Sequence, residues 1–239
     1  MRTFRVVIQT LVAPVISAAL YIFIFGTVIG TRIDDFAGVP YISFVFPGIL
    51  MLSIINAAFA SASSTLYFLR WARGIEEILI APLSYFEMVA GLLTESLARA
   101  LMVAGLILCV GLLFGAVSLV NPIAFVLYVL ALAVIFGCLG LLVALWAESF
   151  EQLQVLNTFV ITPLTYLGGI FYSITFLPPL AAHITRLNPF FYFADGIRSS
   201  MIGYSEAVPL TGALVTGGLA LFMFCLVTYL FSIGWKIRS

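Results

Sequence analysis

The chain has 239 residues, of which 64% are hydrophobic and 8% charged, with a mean hydropathy of +1.23; a soluble globular domain carries about a quarter charged residues, so a water-soluble fold is excluded. A helix that crosses a bilayer needs roughly 20 consecutive apolar residues, so this length holds about six spans and little else. Ten basic and ten acidic side chains give a formal net charge of zero, which argues against nucleic acid and against a polybasic lipid-binding tail.

In chain order, six apolar stretches are predicted, at 6–30, 44–69, 97–117, 123–147, 153–171 and 210–235. The first follows Met1-Arg2-Thr3-Phe4-Arg5 and superficially imitates a signal peptide, but it is too long and lacks a small-x-small cleavage site. We read it as a first membrane span. None of the runs alternates with period two, so a barrel is excluded and the predicted fold is an all-α membrane protein, a single transmembrane domain of six helices. Arg2, Arg5, Arg70, Arg73, Lys236 and Arg238 fall on the side of the termini, and Arg32, Arg186 and Arg198 on the other. With Arg99 set aside as intramembrane or interfacial, that excess predicts cytoplasmic termini.

Two segments break the hairpin pattern. In 70–84, Ile75, Ile78 and Leu79 recur at helical spacing with Glu76 and Glu77 on the opposite face, and Pro82 ends the run. This describes a short amphipathic helix on the cytoplasmic membrane surface; the plainer alternative is a solvated connection capped by charges. Segment 172–205 is too apolar for a solvent loop, yet it is cut by Pro178-Pro179 and Asn188-Pro189 and carries His183, Arg186, Asp195 and Arg198. A continuous span cannot run through those prolines. We expect two short helices that dip into the outer half of the bilayer and return, since irregular backbone at membrane depth survives only inside protein or beside water.

Little reactive chemistry is present. His183 is the lone histidine, without a nucleophile elbow, a zinc motif or clustered aspartates, and reads as an interfacial side chain rather than a catalytic or metal-binding one. Cys109, Cys138 and Cys225 stand apart in apolar runs and read as packing residues. Gly26 and Gly30, and Gly111 and Gly115, have the spacing that lets membrane helices approach closely. Glu95 and Arg99 stand at i, i+4 in the favourable order. An ionisable pair inside a span is a functional candidate, and a self-neutralising structural pair is its alternative. The chain contains no P-loop, so any dependence on ATP must come from a partner.

Several stretches together resemble the type 2 ATP-binding-cassette exporter permeases, over essentially the whole length. They are Ala13-Pro14-Val15 leading to Ile24-Phe25-Gly26; Phe46-Pro47-Gly48-Ile49; Gly74 to Ser84; Pro163-Leu164-Thr165-Tyr166-Leu167-Gly168-Gly169-Ile170-Phe171-Tyr172; and Leu187-Asn188-Pro189-Phe190-Phe191-Tyr192, then Asp195-Gly196 and Arg198. The resemblance implies that 70–84 is similar to the coupling helix that docks on a separate ATPase, with Arg73, Glu76, Glu77, Ile78 and Leu79 at the contact. It also implies that the re-entrant segment forms part of an outer gate, marked here by Phe171, Tyr172, Pro178, Pro179, Asn188, Pro189 and Arg198. The partners implied are two ATPase subunits, a second permease that is a copy of this chain, and membrane lipid; ATP and magnesium would be bound by the ATPase and no cofactor by this chain.

The resemblance implies a bacterial cytoplasmic membrane location and an amphipathic, lipid-linked, polysaccharide or drug-like cargo moving between two permeases. Members of the family commonly begin with a longer amphipathic helix, whereas Met1 to Arg5 alone precede the first span here; a start further upstream is therefore an expectation. Two rival readings are an ion-coupled secondary transporter, which would depend on an acidic residue such as Glu95, and a subunit that anchors a partner without transporting.

Overall fold

A computed structural model describes residues 2–25, 38–72, 74–115 and 118–236. The described residues are helical between turns, with no strand among them. The order is α1 (Arg2–Phe23), α2 (Tyr41–Trp71), α3 (Gly74–Ile80), α4 (Tyr85–Leu113), α5 (Pro122–Trp146), α6 (Gln152–Leu156), a π turn (Asn157–Ile161), α7 (Thr162–Tyr166), α8 (Pro179–Leu187), α9 (Pro189–Ile202) and α10 (Pro209–Ser232).

The centre of the bundle is α2. Its 31 residues extend about 46 Å at 1.5 Å per residue, more than the roughly 30 Å hydrocarbon core. Apolar residues surround it on every side, the signature of a buried helix, and the whole run Phe44 to Met51 is buried. It packs mainly on α5 and α4, with α9 against its first half. The α2–α5 seam is closed by small residues: a Cβ at Gly140 would sit 2.7 Å from the Phe59 carbonyl oxygen and 3.0 Å from the Ser63 nitrogen. Lipid offers no hydrophobic force between helices, so backbone approach of this kind supplies the contact.

Four described helices are long and apolar enough to cross a membrane, α2, α4, α5 and α10. The first expected span is represented by α1, whose apolar part is Pro14–Phe23; 26–30 lie outside the described residues. The fifth is shorter than expected. Its α6, π turn and α7 contribute five residues each, about 22 Å of rod, and the chain leaves the helix at Leu167 rather than running on to 171. Pro163 lacks the N–H that would bond the preceding turn, and the helix widens just ahead of it, as π turns do where the ladder is interrupted.

The third span starts well before the predicted 97. Ser84 accepts from the Glu87 backbone N–H at 3.3 Å, and Glu87 accepts from the Ser84 N–H at 2.8 Å, a capping box that opens α4 at Tyr85. At the far end α4 stops at Leu113, with Gly115 at φ +63°. Of the glycine pairs singled out by spacing, Gly111 is buried while Gly26 and Gly30 lie outside the described residues. Cys138 is packed in the core, whereas Cys109 and Cys225 are exposed on the surface of the bundle.

Gly140→Val should destabilise the chain by about 1–3 kcal/mol through overpacking. Gly105, whose Cβ position is open, should tolerate alanine with a gain of up to about 1 kcal/mol in helix propensity. Melting of the purified variants in detergent checks both.

Candidate functional site

The two segments that broke the hairpin pattern lie at opposite ends of α2. Beyond Trp71 the chain turns into α3, a seven-residue helix packed on α2. Ile75 is buried, Ile78 half-buried and Glu76 exposed, so the predicted two-faced pattern holds where the side chains are described. Glu77 and Leu79 belong to the helix but their side chains lie outside the described set, as does Arg73. Two large apolar side chains flank α3 in the open, Trp71 at 77% and Ile80 at 81% exposure; Ile80 closes the same sequence run and was passed over in favour of Ile78. Arg70 turns back from this end to donate to the Ala144 and Leu145 carbonyls at 2.5 and 3.2 Å, satisfying the last turn of α5.

At the other end, 167–208 is built on the proline breaks. Pro179 and Pro189 each occupy the first turn of a helix, where a missing N–H costs nothing. Asn188 joins the two helices: its Oδ1 accepts from the Phe190 N–H at 3.1 Å as the cap of α9, and its Nδ2 donates to the Leu164 carbonyl at 2.7 Å. Phe171 stacks on Phe25 with centroids 5.5 Å apart, and its carbonyl accepts from the Tyr41 hydroxyl at 3.1 Å. Tyr172 closes its own turn by donating to the Leu167 carbonyl at 2.8 Å. Ile170 presses against Gly48, where a Cβ would meet it at 2.7 Å.

Arg198 is the hub. Its side chain is 1% exposed and reaches three elements at once. Nε donates to the Phe44 carbonyl at 3.2 Å, Nη2 donates to the Gly169 carbonyl at 2.8 Å, and Cζ lies 3.8 Å from the centroid of the Phe44 ring. Nη1 faces two carboxylates, Asp195 at 3.9 Å and Glu206 at 3.8 Å. Both carboxylates are anchored in turn. Asp195 accepts from the backbone N–H groups of Glu206 and Ala207 at 2.8 and 3.0 Å and from the Ser205 hydroxyl at 2.8 Å. Glu206 accepts from the Ser173 hydroxyl and from the Ile174 N–H at 3.4 Å. Gly203, at φ +72°, ends α9 in the left-handed region and reverses the chain so that Glu206 returns over it.

Sequence reasoning singled out Arg198 and noted Asp195, but it stopped at Ser205 and missed Glu206 beside it. The signal was available: an acidic residue directly after an apolar segment that carries a buried cation needs a partner.

The third candidate is the intramembrane pair. Arg99 Nη2 donates to Glu95 Oε1 at 2.7 Å, and the Thr65 hydroxyl donates to Glu95 Oε2 at 2.6 Å. Arg99 is the middle residue of α4 and Asn56 the middle residue of α2; together with α1 they border a cavity of about 440 Å³. Among the described residues there is no group of three His, Cys, Asp or Glu side chains able to hold a metal ion. What the geometry provides is mechanical, a charge-locked segment at one end of α2 and a short, partly apolar helix at the other.

A family model described as ABC-2 type transporter matches residues 1–202. Inner membrane transport permease YadH of Escherichia coli (strain K12) is 39% identical over 227 residues, 94% of this chain and 88% of that protein. Nodulation protein J of Rhizobium meliloti (strain 1021) is 28% identical over 201 residues, 83% of this chain and 76% of that protein.

Replacing Arg198 with methionine leaves Asp195 and Glu206 buried without a cation, and should cost about 3–5 kcal/mol. Glu206→Gln keeps an acceptor for Ser173 and removes one charge, and should cost less, about 1–2 kcal/mol. The order of melting temperatures in detergent, wild type above Glu206→Gln above Arg198→Met, checks the assignment of Arg198 as hub.

Proposed function

This chain belongs to the ABC-2 type transporter family, and from that premise we propose that it is the membrane permease of an ATP-driven exporter whose ATPase is a separate subunit. Support comes from the Escherichia coli relative, an inner membrane transport permease, and from helices apolar and long enough for a multi-pass inner-membrane protein. Both termini face the cytoplasm in this reading, in keeping with the arginine excess near them.

The observation that carries the proposal is the placement of the two irregular segments at opposite ends of α2. On the cytoplasmic side α3 offers an acidic and apolar surface to the ATPase, formed by Arg73, Glu76, Glu77, Ile78 and Leu79, with Trp71 and Ile80 exposed beside it. On the outer side the segment containing Phe171, Tyr172, Pro178, Pro179, Asn188, Pro189 and Arg198 is the gate. Two ATPase subunits close on ATP and push α3. Because α2 is one continuous rod, a shift at Trp71 reaches Tyr41 and Phe44, to which the gate is bonded. Closure thereby biases a two-state equilibrium between inward-facing and outward-facing arrangements. The cargo, an amphipathic, lipid-linked, polysaccharide or drug-like molecule, passes between this chain and a second copy of it, and ATP and magnesium are bound by the ATPase.

The test is co-expression with the ATPase encoded beside this chain and purification through a tag on the permease. Wild type should recover the ATPase stoichiometrically, and Glu76→Lys/Glu77→Lys should lower recovery by about tenfold or more through charge reversal at the contact. Unchanged recovery with the double substitution removes α3 as the docking element; no recovery from either form contradicts the permease reading.

A further inference from the structure

Donors without acceptors gather in the cavity bordered by α1, α2 and α4. Arg99 on its wall gives one N–H group to Glu95 and meets no other acceptor among the described residues. Asn56 commits its carbonyl oxygen to the Asn157 side chain, which donates to it at 3.0 Å, and its own NH2 group meets no acceptor among the described residues. The Tyr21 hydroxyl, on the same wall, likewise has no hydrogen-bond partner among the described residues. The remaining wall is largely apolar, with Ile49, Leu52 and Ala57 from α2. Asn56 and Arg99 are the middle residues of their helices, so in a bilayer this polar cluster sits at mid-depth, where an ionisable group costs about 2.5–3.5 kcal/mol on insertion scales.

A structural ion pair accounts for Glu95 and one Arg99 N–H. It does not account for Arg99, Asn56 and Tyr21 all lining one cavity of about 440 Å³ with no acceptor among the described residues for the rest of the guanidinium, the amide NH2 and the phenol. Separate waters can serve such donors one by one, whereas a single oxyanion can accept from several, and guanidinium binds phosphate or carboxylate in a two-point fashion. We infer that this cavity binds the anionic head of an amphipathic molecule, a phosphate or carboxylate monoanion on an alkyl chain, with Arg99, Asn56 and Tyr21 as its ligands and the apolar α2 wall against its chain.

This deepens the permease reading by naming the head-group chemistry of the occupant. Its test is separate from the docking test, because binding is measured on the full chain without the ATPase. The chain is placed in phosphatidylcholine nanodiscs and titrated with a fluorescently tailed dodecyl phosphate, with the same tail ending in a neutral hydroxyl as control and empty nanodiscs as background. The phosphate should bind at least about tenfold more tightly than the neutral probe, as charge-assisted bonds are worth roughly twice neutral ones. Arg99→Gln should abolish the preference and Arg99→Lys retain only part of it, since an ammonium keeps the charge but loses the two-point geometry. Should Arg99→Gln not fold, Tyr21→Phe and Asn56→Leu, which remove one neutral donor each, should each weaken phosphate binding by about three- to tenfold. Equal binding of the two probes, or a preference indifferent to all these variants, overturns the inference.

Replacing part of the phosphatidylcholine by phosphatidylglycerol identifies the source of the anion. Competition at the Arg99-dependent site supports an anionic lipid as occupant, and its absence supports a head group carried by the cargo. ATPase recovery with no phosphate preference defeats this inference alone.

Discussion

A guanidinium buried to 1% exposure has to be satisfied by what surrounds it, and the end of the molecule at the start of α2 is arranged around that requirement. Arg198 finds a carbonyl at the start of α2, another in the turn after α7, an aromatic face and two carboxylates. Phe44 supplies both the first carbonyl and the aromatic face, and the others come from three further stretches, so one side chain fixes the relative positions of α2, the 167–172 turn, α9 and the loop that follows. Buried charge is a costly way to hold a fold together and contributes little net stability. Its property of use here is discreteness: the partners are either all engaged or the charges are stranded, which suits an element with two arrangements better than graded apolar packing does.

The remainder follows from α2. It is buried over most of its length, as far as Leu66, meets α4, α5 and α9, and bears α3 at one end and the Arg198 assembly near the other. Close backbone contact at Gly140 keeps α5 moving with it. Midway lie Asn56 and Arg99, both half-buried, on the wall of the cavity between α1, α2 and α4. In the proposed exporter those three levels are docking surface, head-group site and gate, set in order along one rigid helix.

Much of this was legible in the sequence because lipid allows few solutions. Apolar length identified α2, α5 and α10 to within a few residues, and the breaks at Pro178-Pro179 and Asn188-Pro189 divided the later segment into short helices. Hydropathy alone misplaced the start of α4, since Glu87 and the Thr94-Glu95-Ser96 run interrupt its apolar residues, whereas the Ser84–Glu87 capping box is what sets its first turn. It overextended the fifth span because Leu167 to Phe171 is apolar for a reason other than lipid: Ile170 packs against Gly48 and Phe171 against Phe25. Glu206, Thr65 and Asn56 escaped notice because their partners are distant in sequence, and periodicity carries no information about such pairs.

The claim that the two ends of α2 act as one device is tested most directly by hydrogen–deuterium exchange on the permease bound to its ATPase, with and without ATP. The account predicts that docking slows exchange in 74–80 and that ATP changes exchange in 166–178, at the opposite end of the rod. Exchange in 74–80 that ignores a bound ATPase, or in 166–178 that stays constant when ATP is added, would contradict it.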